Sequence, residues 1–522
     1  MTAVSTGPET GPADSGGAGV EVRTDGWRRL SPRMLAVHPV QELPRALPAL
    51  VGAFAVGQSR GNGQLWSLAG VGIVVGLAIL RWFTTSYKIT DEQVQVRRGL
   101  LRRRVLSVPR DRVRTVDVTS HALHRVLGLA RVTVGTGQSD RKSDRGLRLD
   151  GLSTAVAARL HEELLHRSPP AAAPAADGAP PAVLERPAET ELAVLRPAWF
   201  RYAPFSLSGL VSIGVVTGFV WRAANEAHVN VFHFGPLRAF GGHLSRVPVG
   251  LAAAELVLLT LTVAAVAATG GYLLAFWRFR LTRRAGGTLR VTRGLLTTRA
   301  TTIEERRLRG AEISEPFLLR TVGGARCLVI ATGLRVGRGA ERGGTVLLPP
   351  APRAEAERVA AAVLGATEPV TCALTGRDGR ARRRRYARAL VAALLVIAAV
   401  AGAGWQFGWP VWVLPATLAV LPLAVVVAED RYRSLGHAVT GGYLVSRLGS
   451  VVRRRYVLSA DGVVGWTLHR SFFQRRAGLV TLVATTAAGR QRYALPDLDA
   501  TVAVQVADRA VPGLLEPFLV RT

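Results

Sequence analysis

The sequence of 522 residues has very little cysteine: Cys327 and Cys372 are the only two, and no CxxC spacing is present. Two isolated cysteines build neither a disulfide framework nor a cysteine-based zinc site, so folding does not depend on an oxidising compartment. Aromatic residues are also scarce, at 6%. Proteins that bind single-stranded nucleic acid place exposed aromatic residues among their basic residues. The scarcity therefore argues against nucleic acid as a partner.

Acidic residues are few relative to basic ones, with 36 Asp and Glu against 67 Lys and Arg and a net charge of +31. Such an excess indicates an anionic partner, and with nucleic acid disfavoured we expect anionic membrane lipids. Catalytic motifs are missing too, because neither a P-loop nor a GxSxG elbow occurs. His121 and His124 lack the acidic residue of a hydrolytic zinc motif. We expect a non-enzymatic protein with no cofactor and no metal.

Long apolar runs are abundant, since 48% of the residues are hydrophobic and the mean hydropathy is +0.22. Five runs approach the ~20 residues that cross a bilayer. They are 65–83, 205–221, 256–277, 390–405 and 411–428. A sixth run, 46–57, is shorter and contains Pro48. Its hydropathy alone fits a buried core helix as well as it fits a transmembrane helix.

The charge distribution predicts how these runs are oriented. Segments 88–148, 278–342 and 429–492 have net charges of +9 (15 basic, 6 acidic), +10 (15 and 5) and +8 (11 and 3), whereas loops 58–64 and 223–249 are nearly neutral. Basic loops stay in the cytoplasm. We therefore expect both termini and all three basic segments in the cytoplasm of a bacterial inner-membrane protein. An even number of crossings is then needed before residue 88, which predicts that 46–57 spans.

The three basic segments are copies of one unit, which align without a gap over about forty residues. The second copy is shifted by 195 residues from the first, and the third copy by 350 residues. Two sets of structural turn glycines follow these shifts: one set is Gly99, Gly294 and Gly449, and the other is Gly128, Gly323 and Gly478. The first set lies between strand-like runs, where a turn residue with positive φ is expected. Alternating valines such as Val94 and Val96 predict short, half-buried strands. Each copy ends in a helical stretch, at 153–166, 352–364 and 499–511.

Two motifs carry a resemblance to a known family. They are the RGLL turns at Arg98 and Arg293, each followed by a basic stretch, and the LHRVLGLARVTVGT stretch from Leu123 with counterparts from Leu318 and Phe473. In these features the chain resembles the bacterial pleckstrin-homology (PH) domain of the YdbS-like and YdbT-like membrane proteins. The resemblance implies a small β-barrel or sandwich, closed by a C-terminal helix and held at the inner membrane surface.

The predicted fold is an α plus β membrane protein with six transmembrane helices in three pairs, each pair followed by a cytoplasmic PH-like β-barrel or sandwich with a C-terminal helix. The predicted segments are a disordered tail 1–37, transmembrane pair 43–84, PH-like domain 85–167, a Pro/Ala-rich linker 168–197, transmembrane pair 203–277 with outer loop 223–249, PH-like domain 278–365, a basic connector 366–388, transmembrane pair 389–428, PH-like domain 429–512 and a C-terminal tail 513–522.

Runs of arginine are the candidate lipid-contact residues. They are Arg102, Arg103, Arg104, Arg453, Arg454, Arg455, Arg382, Arg383, Arg384 and Arg385. A basic residue beside an anionic surface contributes about 1 kcal/mol of binding. An equal alternative is that these arginines only set the orientation of the chain in the membrane.

The expected function is binding of lipid headgroups or of a protein partner, including a homo-oligomer, at the inner membrane surface. The protein would serve as a scaffold or as an envelope-maintenance factor, and the family resemblance is consistent with resistance to membrane-active compounds. The alternative is a transporter or a transport accessory subunit built on the six spans. The near absence of charged residues from the spans argues against transport.

Overall fold

A computed structural model of the chain provides the structure. It describes residues 26–34, 83–90, 92–99, 104–110, 115–135, 147–165, 189–206, 245–333, 346–376, 378–410 and 412–518, and a few single residues elsewhere. They belong to two compact units, residues 1–111 and residues 112–522.

The first unit contains a four-stranded antiparallel sheet in the order β1-β2-β3-β4. Its strands are β1 (Arg28–Arg29), β2 (Ser86–Ile89), β3 (Gln93–Arg98) and β4 (Arg104–Pro109). Successive side chains of a strand point to opposite faces, and Val94 and Val96 accordingly share one buried face of β3. Gly99, between β3 and β4, has a φ of 108°.

The second unit contains three antiparallel sheets, in the orders β7-β6-β5-β11-β10-β9-β8, β14-β13-β12-β17-β16-β15 and β18-β19-β20. The strands are β5 (Thr115–Ser120), β6 (Leu129–Gly135), β7 (Leu147–Ser153), β8 (Glu189–Val194), β9 (Arg280–Arg284), β10 (Thr288–Arg293), β11 (Thr298–Glu304), β12 (Leu308–Pro316), β13 (Gly324–Ala331), β14 (Val346–Pro352), β15 (Gly436–Thr440), β16 (Tyr443–Leu448), β17 (Val452–Ser459), β18 (Val463–His469), β19 (Leu479–Thr486) and β20 (Arg492–Asp499).

The helices of the second unit fall into three kinds: short helices between strands, helices that close a copy, and long apolar helices. They are α1 (Ala122–Val126), α2 (Thr154–Leu165), α3 (Val249–Phe276), α4 (Phe317–Thr321), α5 (Arg353–Leu364), α6 (Glu368–Thr371), α7 (Gly379–Phe407), α8 (Val413–Thr417), α9 (Val420–Arg433), α10 (Phe472–Arg476) and α11 (Ala500–Ala510). Helices α2, α5 and α11 occupy the three stretches where the sequence predicts closing helices.

Consecutive copies share two of the sheets. Strand β5 of the first copy pairs with β11 of the second, and β12 of the second copy pairs with β17 of the third. The register is the same at both junctions, because Ser120 lies opposite Thr298 and the aligned Glu315 lies opposite Arg453. Each copy therefore contributes its first three strands to one sheet and its last three strands to the next.

The core of the second copy lies between two of these shared sheets. One buried cluster contains Leu289 and Ile303 from the seven-stranded sheet, Ile313 and Val329 from the six-stranded sheet, and Val359 from α5. Along β10, β11 and β12 these apolar side chains alternate with polar ones, whereas Val329 of β13 lies between the fully buried Leu328 and Ile330. The second copy is thus a β-sandwich closed by its C-terminal helix.

The third copy has a separate core against the other sheet. Its cluster joins Leu444 and Tyr456 of the six-stranded sheet to Leu482 and Tyr493 of the three-stranded sheet and to Val506 of α11. Val457, between Tyr456 and Leu458 in β17, instead belongs to the cluster of the second copy. The six-stranded sheet is therefore buried on both faces.

A short extended segment pairs with the first strand of each copy. The pairs are β1 with β2, β8 with β9, and the isolated bridge of Thr375 with His437. This corrects the predicted linker 168–197, because its residues Glu189–Val194 form β8, and the predicted disordered tail 1–37, because its residues Arg28–Arg29 form β1. An edge strand with three polar residues at its start has too little apolar alternation to be recognised from the sequence. The predicted connector 366–388 likewise contains α6 and the start of α7.

Among the described residues, three helices are long and apolar enough to cross a membrane: Val249–Phe276, Gly379–Phe407 and Val413–Arg433. They coincide with the predicted runs 256–277, 390–405 and 411–428. The predicted spans 46–57, 65–83 and most of 205–221 lie outside the described residues. The structure thus supports three of the six predicted transmembrane helices.

Candidate membrane-contact surface

The helical hairpin of α7, α8 and α9 differs in chemistry between its two ends. Exposed aromatic residues surround its turn: Trp405, Phe407, Trp409 and Trp412. The opposite end, which we name the foot, carries the arginines of residues 382–385 and 431–433. Tryptophan is typical of membrane interfaces, and arginine is typical of the cytoplasmic side. The foot is therefore the end expected at the cytoplasmic surface.

Two of the predicted lipid-contact arginines are engaged inside the protein at the foot. Arg384 and Arg385 both pair with Asp497, whose side chain is 1% exposed, and Arg385 lies 2.8 Å from its Oδ2 atom. Gln474 of α10 donates a third hydrogen bond to Asp497 through Nε2, at 3.0 Å. This carboxylate joins α7 to the third copy, so these guanidinium groups have a structural role.

The other two arginines of that run are more exposed. Arg382 lies over the rings of Tyr386 and Tyr432, at 5.5 and 5.7 Å from their centroids, and 3.5 Å from Glu429. Arg383 is exposed and makes no ion pair within the part of the chain that the structure describes. Of this run, Arg383 is best placed to meet a headgroup.

The arginines of the third copy also have internal partners. Arg453 contacts Asp430 at the end of α9, at 3.2 Å. Arg454 pairs with the buried Glu312 of β12 at 3.2 Å. Burial raises the pKa of Glu312, against the opposite effect of the surrounding arginines, first among them Arg490. Both arginines thus connect elements of the protein to one another.

Arg455 is buried and donates to the carbonyl oxygens of Pro369 and Cys372, at 3.3 and 2.9 Å. Burial lowers the pKa of its guanidinium. Arg102 and Arg103 lie outside the described residues, and Arg104 begins β4. Lipid contact by the predicted arginines stays a prediction. Because most of the described ones have partners inside the protein, a different surface is better exposed.

That surface begins with three short helices at aligned positions, α1, α4 and α10. Each buries its third residue, which is His124, Leu319 or Gln474. His124 is thus an inward-facing helix residue, and the described residues contain no group of metal-ligating side chains. The fourth residue is an arginine in all three helices, and its guanidinium in the first two reaches the next copy.

These arginines bind the hairpin turn of the following copy. Arg125 donates to the carbonyl of Leu295 at 2.5 Å, and Arg320 donates to the carbonyl of the aligned Ser450 at 3.5 Å. The turn at Leu295 also contacts a candidate membrane-spanning helix, because the N–H of Leu295 donates to the carbonyl of Leu274 in α3 at 2.9 Å. Short helix, hairpin turn and the end of a membrane helix therefore meet in one region.

Helix α10 lies directly at the foot. Leu479 and Ala477, which follow α10, pack in one cluster with Ala381 of α7 and Leu435 after α9. The side chain of Ser471 accepts a hydrogen bond from the N–H of Gln474 in a capping box. The cap and the cluster together fix the orientation of α10, and with it the side of the helix that is exposed.

The outward residues of α10 are aromatic and basic. Phe472 and Phe473 are 59% and 67% exposed, and their rings form an edge-to-face pair with centroids 5.5 Å apart. Arg470 and Arg476 flank them and are also exposed. We name these four residues the α10 patch.

Other exposed apolar residues occupy aligned or adjoining positions in the earlier copies. They are Val126, Leu296 and Phe317, and Val451 in the hairpin turn of the third copy is exposed as well. The sequence analysis selected arginine runs and missed the α10 patch. The signal was present as SFFQRR, in which a capping serine precedes two phenylalanines and two arginines.

Comparison with known proteins agrees with this architecture. The bacterial PH domain model matches the chain three times, over residues 43–168, 244–367 and 387–510. The second match spans α3 to α5, and the third includes most of α7 and ends with α11. No curated protein and no solved structure matches the chain. The three matches cover most of the sequence, and the chain belongs to the bacterial PH domain family.

Proposed function

We propose that this protein anchors three PH-like domains at the cytoplasmic surface of the bacterial inner membrane and binds anionic lipid headgroups there. The α10 patch carries this proposal, because it exposes two aromatic rings between arginines at the foot of a membrane hairpin. A role as scaffold or envelope-maintenance factor would use the same attachment.

The chemistry of the patch fits the boundary between headgroups and acyl chains. Apolar surface leaves water favourably, at roughly 25 cal/mol per Å². The exposed rings of Phe472 and Phe473 gain this free energy when they enter the bilayer edge. Arg470 and Arg476 then meet headgroup phosphates, at about 1 kcal/mol for each basic residue. Because the foot already holds α10 beside the membrane, no separate docking step is required.

The pairing of strands is compatible with six spans. Strands β8 and β9 are neighbours in one sheet and must lie on the same side of the membrane. Helix α3 lies between them and crosses once, so residues 195–248 need a second crossing, which the predicted run 205–221 supplies. Strands β1 and β2 also pair. The chain between them must cross an even number of times, and the predicted runs 46–57 and 65–83 meet that requirement.

The described spans give no support to the transport alternative. The hydroxyl groups of Thr260 and Thr262 in α3 donate to carbonyls of their own helix, at 2.7 and 2.8 Å. Such bonds satisfy a polar side chain without a partner helix or a polar pathway. Glu255, near the outer end of α3, pairs with His243 at 3.2 Å.

The test places an environment-sensitive dye on the α10 patch of the full chain in lipid nanodiscs. Phe473→Cys is labelled in a Cys372→Ser background. Burial raises the pKa of Cys327 to about 12, so that thiol stays unreactive. We expect strong quenching of the dye by lipids that carry a nitroxide near the headgroup, and stronger quenching when the lipids are anionic. Arg470→Ser with Arg476→Ser should remove most of the anionic preference.

The control position is Ala487, which is exposed at the far end of β19, about 25 Å along the strand from α10. A dye on Ala487→Cys should be quenched little. Equal quenching at both positions, or none at residue 473, would mean that the α10 patch does not enter the bilayer.

A further inference from the structure

Two sheet edges in the described part of the chain lack the neighbour that their aligned strands have. Strand β18 lies at the edge of the three-stranded sheet, and β4 lies at the edge of the four-stranded sheet. In the repeat alignment, β18 of the third copy corresponds to β5 of the first copy and β12 of the second. Strand β4 of the first copy corresponds to β11 of the second copy and β17 of the third. Inside the chain these two kinds of strand pair with each other, as β5 with β11 and β12 with β17.

We propose that β18 of one chain pairs antiparallel with β4 of a second chain and so repeats the junction between copies. The register follows from the internal junctions. At the internal junction Asp117 lies opposite Thr301. Thr467 is aligned with Asp117, and Leu106 is aligned with Thr301, so Thr467 lies opposite Leu106 in the proposed junction. By the same alignment Leu468 lies opposite Val105. The partner at this surface is a second copy of the same protein.

Both edges expose apolar side chains. On β18, Val464 is 68% exposed, and Leu468 is also exposed. On β4, Val105 is 55% exposed, and Leu106 is exposed beside it. Edge strands usually carry charged residues or proline that prevent pairing. Lys, Arg, Asp and Glu are all absent from β18, so this edge is open to another strand.

The shape of β18 also resembles that of a strand that is already paired. Its register with β19 shifts between Val463 and Gly465. Strand β12 has a shift in its pairing with β13 at the aligned residues, Leu308 and Gly310, and β12 nevertheless pairs with β17 on its other side. The irregularity of β18 is thus compatible with a neighbour at its outer edge.

Arg475 provides a second, independent observation. The aligned Arg125 and Arg320 each donate to a carbonyl in the hairpin turn of the next copy. Arg475 is exposed and has no side-chain partner among the described residues. In the proposed junction between chains, Arg475 lies near Gly99 of the second chain, the residue aligned with Gly294 and Gly449.

The junction between chains differs in charge from the internal junctions. Asp117 pairs with Arg299 at 3.5 Å, and the aligned Glu312 pairs with Arg454 at 3.2 Å. In the proposed junction, Thr467 takes the position of the carboxylates, and Arg104 takes the position of the arginines. Without the carboxylate the junction between chains is weaker and depends on concentration. A head-to-tail contact of this kind produces rings or rows of copies.

The test uses disulfide formation between two differently tagged full-length chains in one membrane, both with Cys372→Ser. One chain carries Leu468→Cys and the other carries Val105→Cys. On oxidation we expect a linked species that contains both tags. Replacing Val105→Cys by Leu106→Cys should abolish most of the product, because a one-residue offset places the thiols on opposite faces of the sheet. Ala300→Cys with Val118→Cys, opposite each other at an internal junction, is the positive control.

Charge variants at residue 467 test the register separately. Thr467→Glu supplies the missing carboxylate at the position diagonal to Arg104 and should raise the two-tag product about two- to fivefold, whereas Thr467→Arg should lower it. Absence of the two-tag product while the positive control forms would overturn the proposal. So would a chain with both Leu468→Cys and Val105→Cys that links only within itself, since this result means closure inside one chain.

Discussion

At the scale of single residues, the turn glycines show how closely backbone geometry constrains the sequence. Gly294 and Gly449 have φ values of 108° and 107°. A Cβ atom built on Gly294 would lie 2.0 Å from the carbonyl oxygen of Thr297, and one on Gly449 would lie 2.1 Å from that of Val452. Both positions therefore require glycine for conformation and for space. The repeat register predicts these turns, because glycine recurs between strand-like runs.

We expect Gly294→Ala to lower the free energy of unfolding by about 2 kcal/mol or more, since the clash is with backbone and the φ is unfavourable. Gly287→Ala is the matched control, because Gly287 has a φ of 66° and no atom within 4 Å of the added Cβ. That control should cost only about 1 kcal/mol. Chemical unfolding of both variants in detergent measures the difference, and equal losses would show that the turn relaxes around a side chain.

The partners of the arginines could not be predicted from the sequence. Arg454 pairs with Glu312, and Arg384 pairs with Asp497. Each partner lies in a distant segment of the chain, and a run of arginines reads the same whether it faces solvent or a buried carboxylate. The exposed candidate surface is the α10 patch and not the arginine runs, and an aromatic content of 6% gives no indication of it.

At the scale of elements, periodicity predicts the strands inside each copy and the closing helices α2, α5 and α11. It does not predict which strands pair across copies. Strand β5 has the same alternation whether its neighbour belongs to its own copy or to the next, so the junction with β11 emerges only from the three-dimensional arrangement. Strand β8 escaped prediction because it is short, polar and located at an edge.

The connection between α7 and α10 through Asp497 can be tested by Asp497→Asn. Asn is well suited to the φ of 62° at this position, so the change removes charge and leaves the backbone unstrained. Removing one partner of a buried ion pair typically costs about 3–5 kcal/mol, and we expect a loss in that range. Hydrogen exchange of α10 and β20, together with the unfolding midpoint in detergent, measures it.

Asp508→Asn, at an exposed position of α11, is the control for that experiment. Its effect should stay within about 0.5 kcal/mol, as is usual for surface substitutions. If both variants unfold alike and exchange alike, Asp497 does not fasten the third copy to α7.

At the scale of the whole molecule, loop charge and strand pairing constrain the topology independently. Loop charge alone predicts that all three copies lie on one side of the membrane. Shared sheets require the same for the strands that they join, because β5 pairs with β11 and β12 pairs with β17. Between β14 and β15 the chain passes through two candidate spans, α7 and then α8 with α9, and two spans would return it to the same side.

This agreement predicts a labelling pattern for single cysteines in intact cells, again with Cys372→Ser. Gln406→Cys, beside the aromatic turn of the hairpin, and Asn230→Cys, in the predicted outer loop, should react with an impermeant maleimide from outside. Ala487→Cys, in the third copy, should react only after the membrane is permeabilised. The Asn230 position is decisive for the second pair, because β8 and β9 share a sheet while α3 crosses between them. If Asn230→Cys reacts only after permeabilisation, the run 205–221 does not cross, and α3 cannot cross either without separating two paired strands.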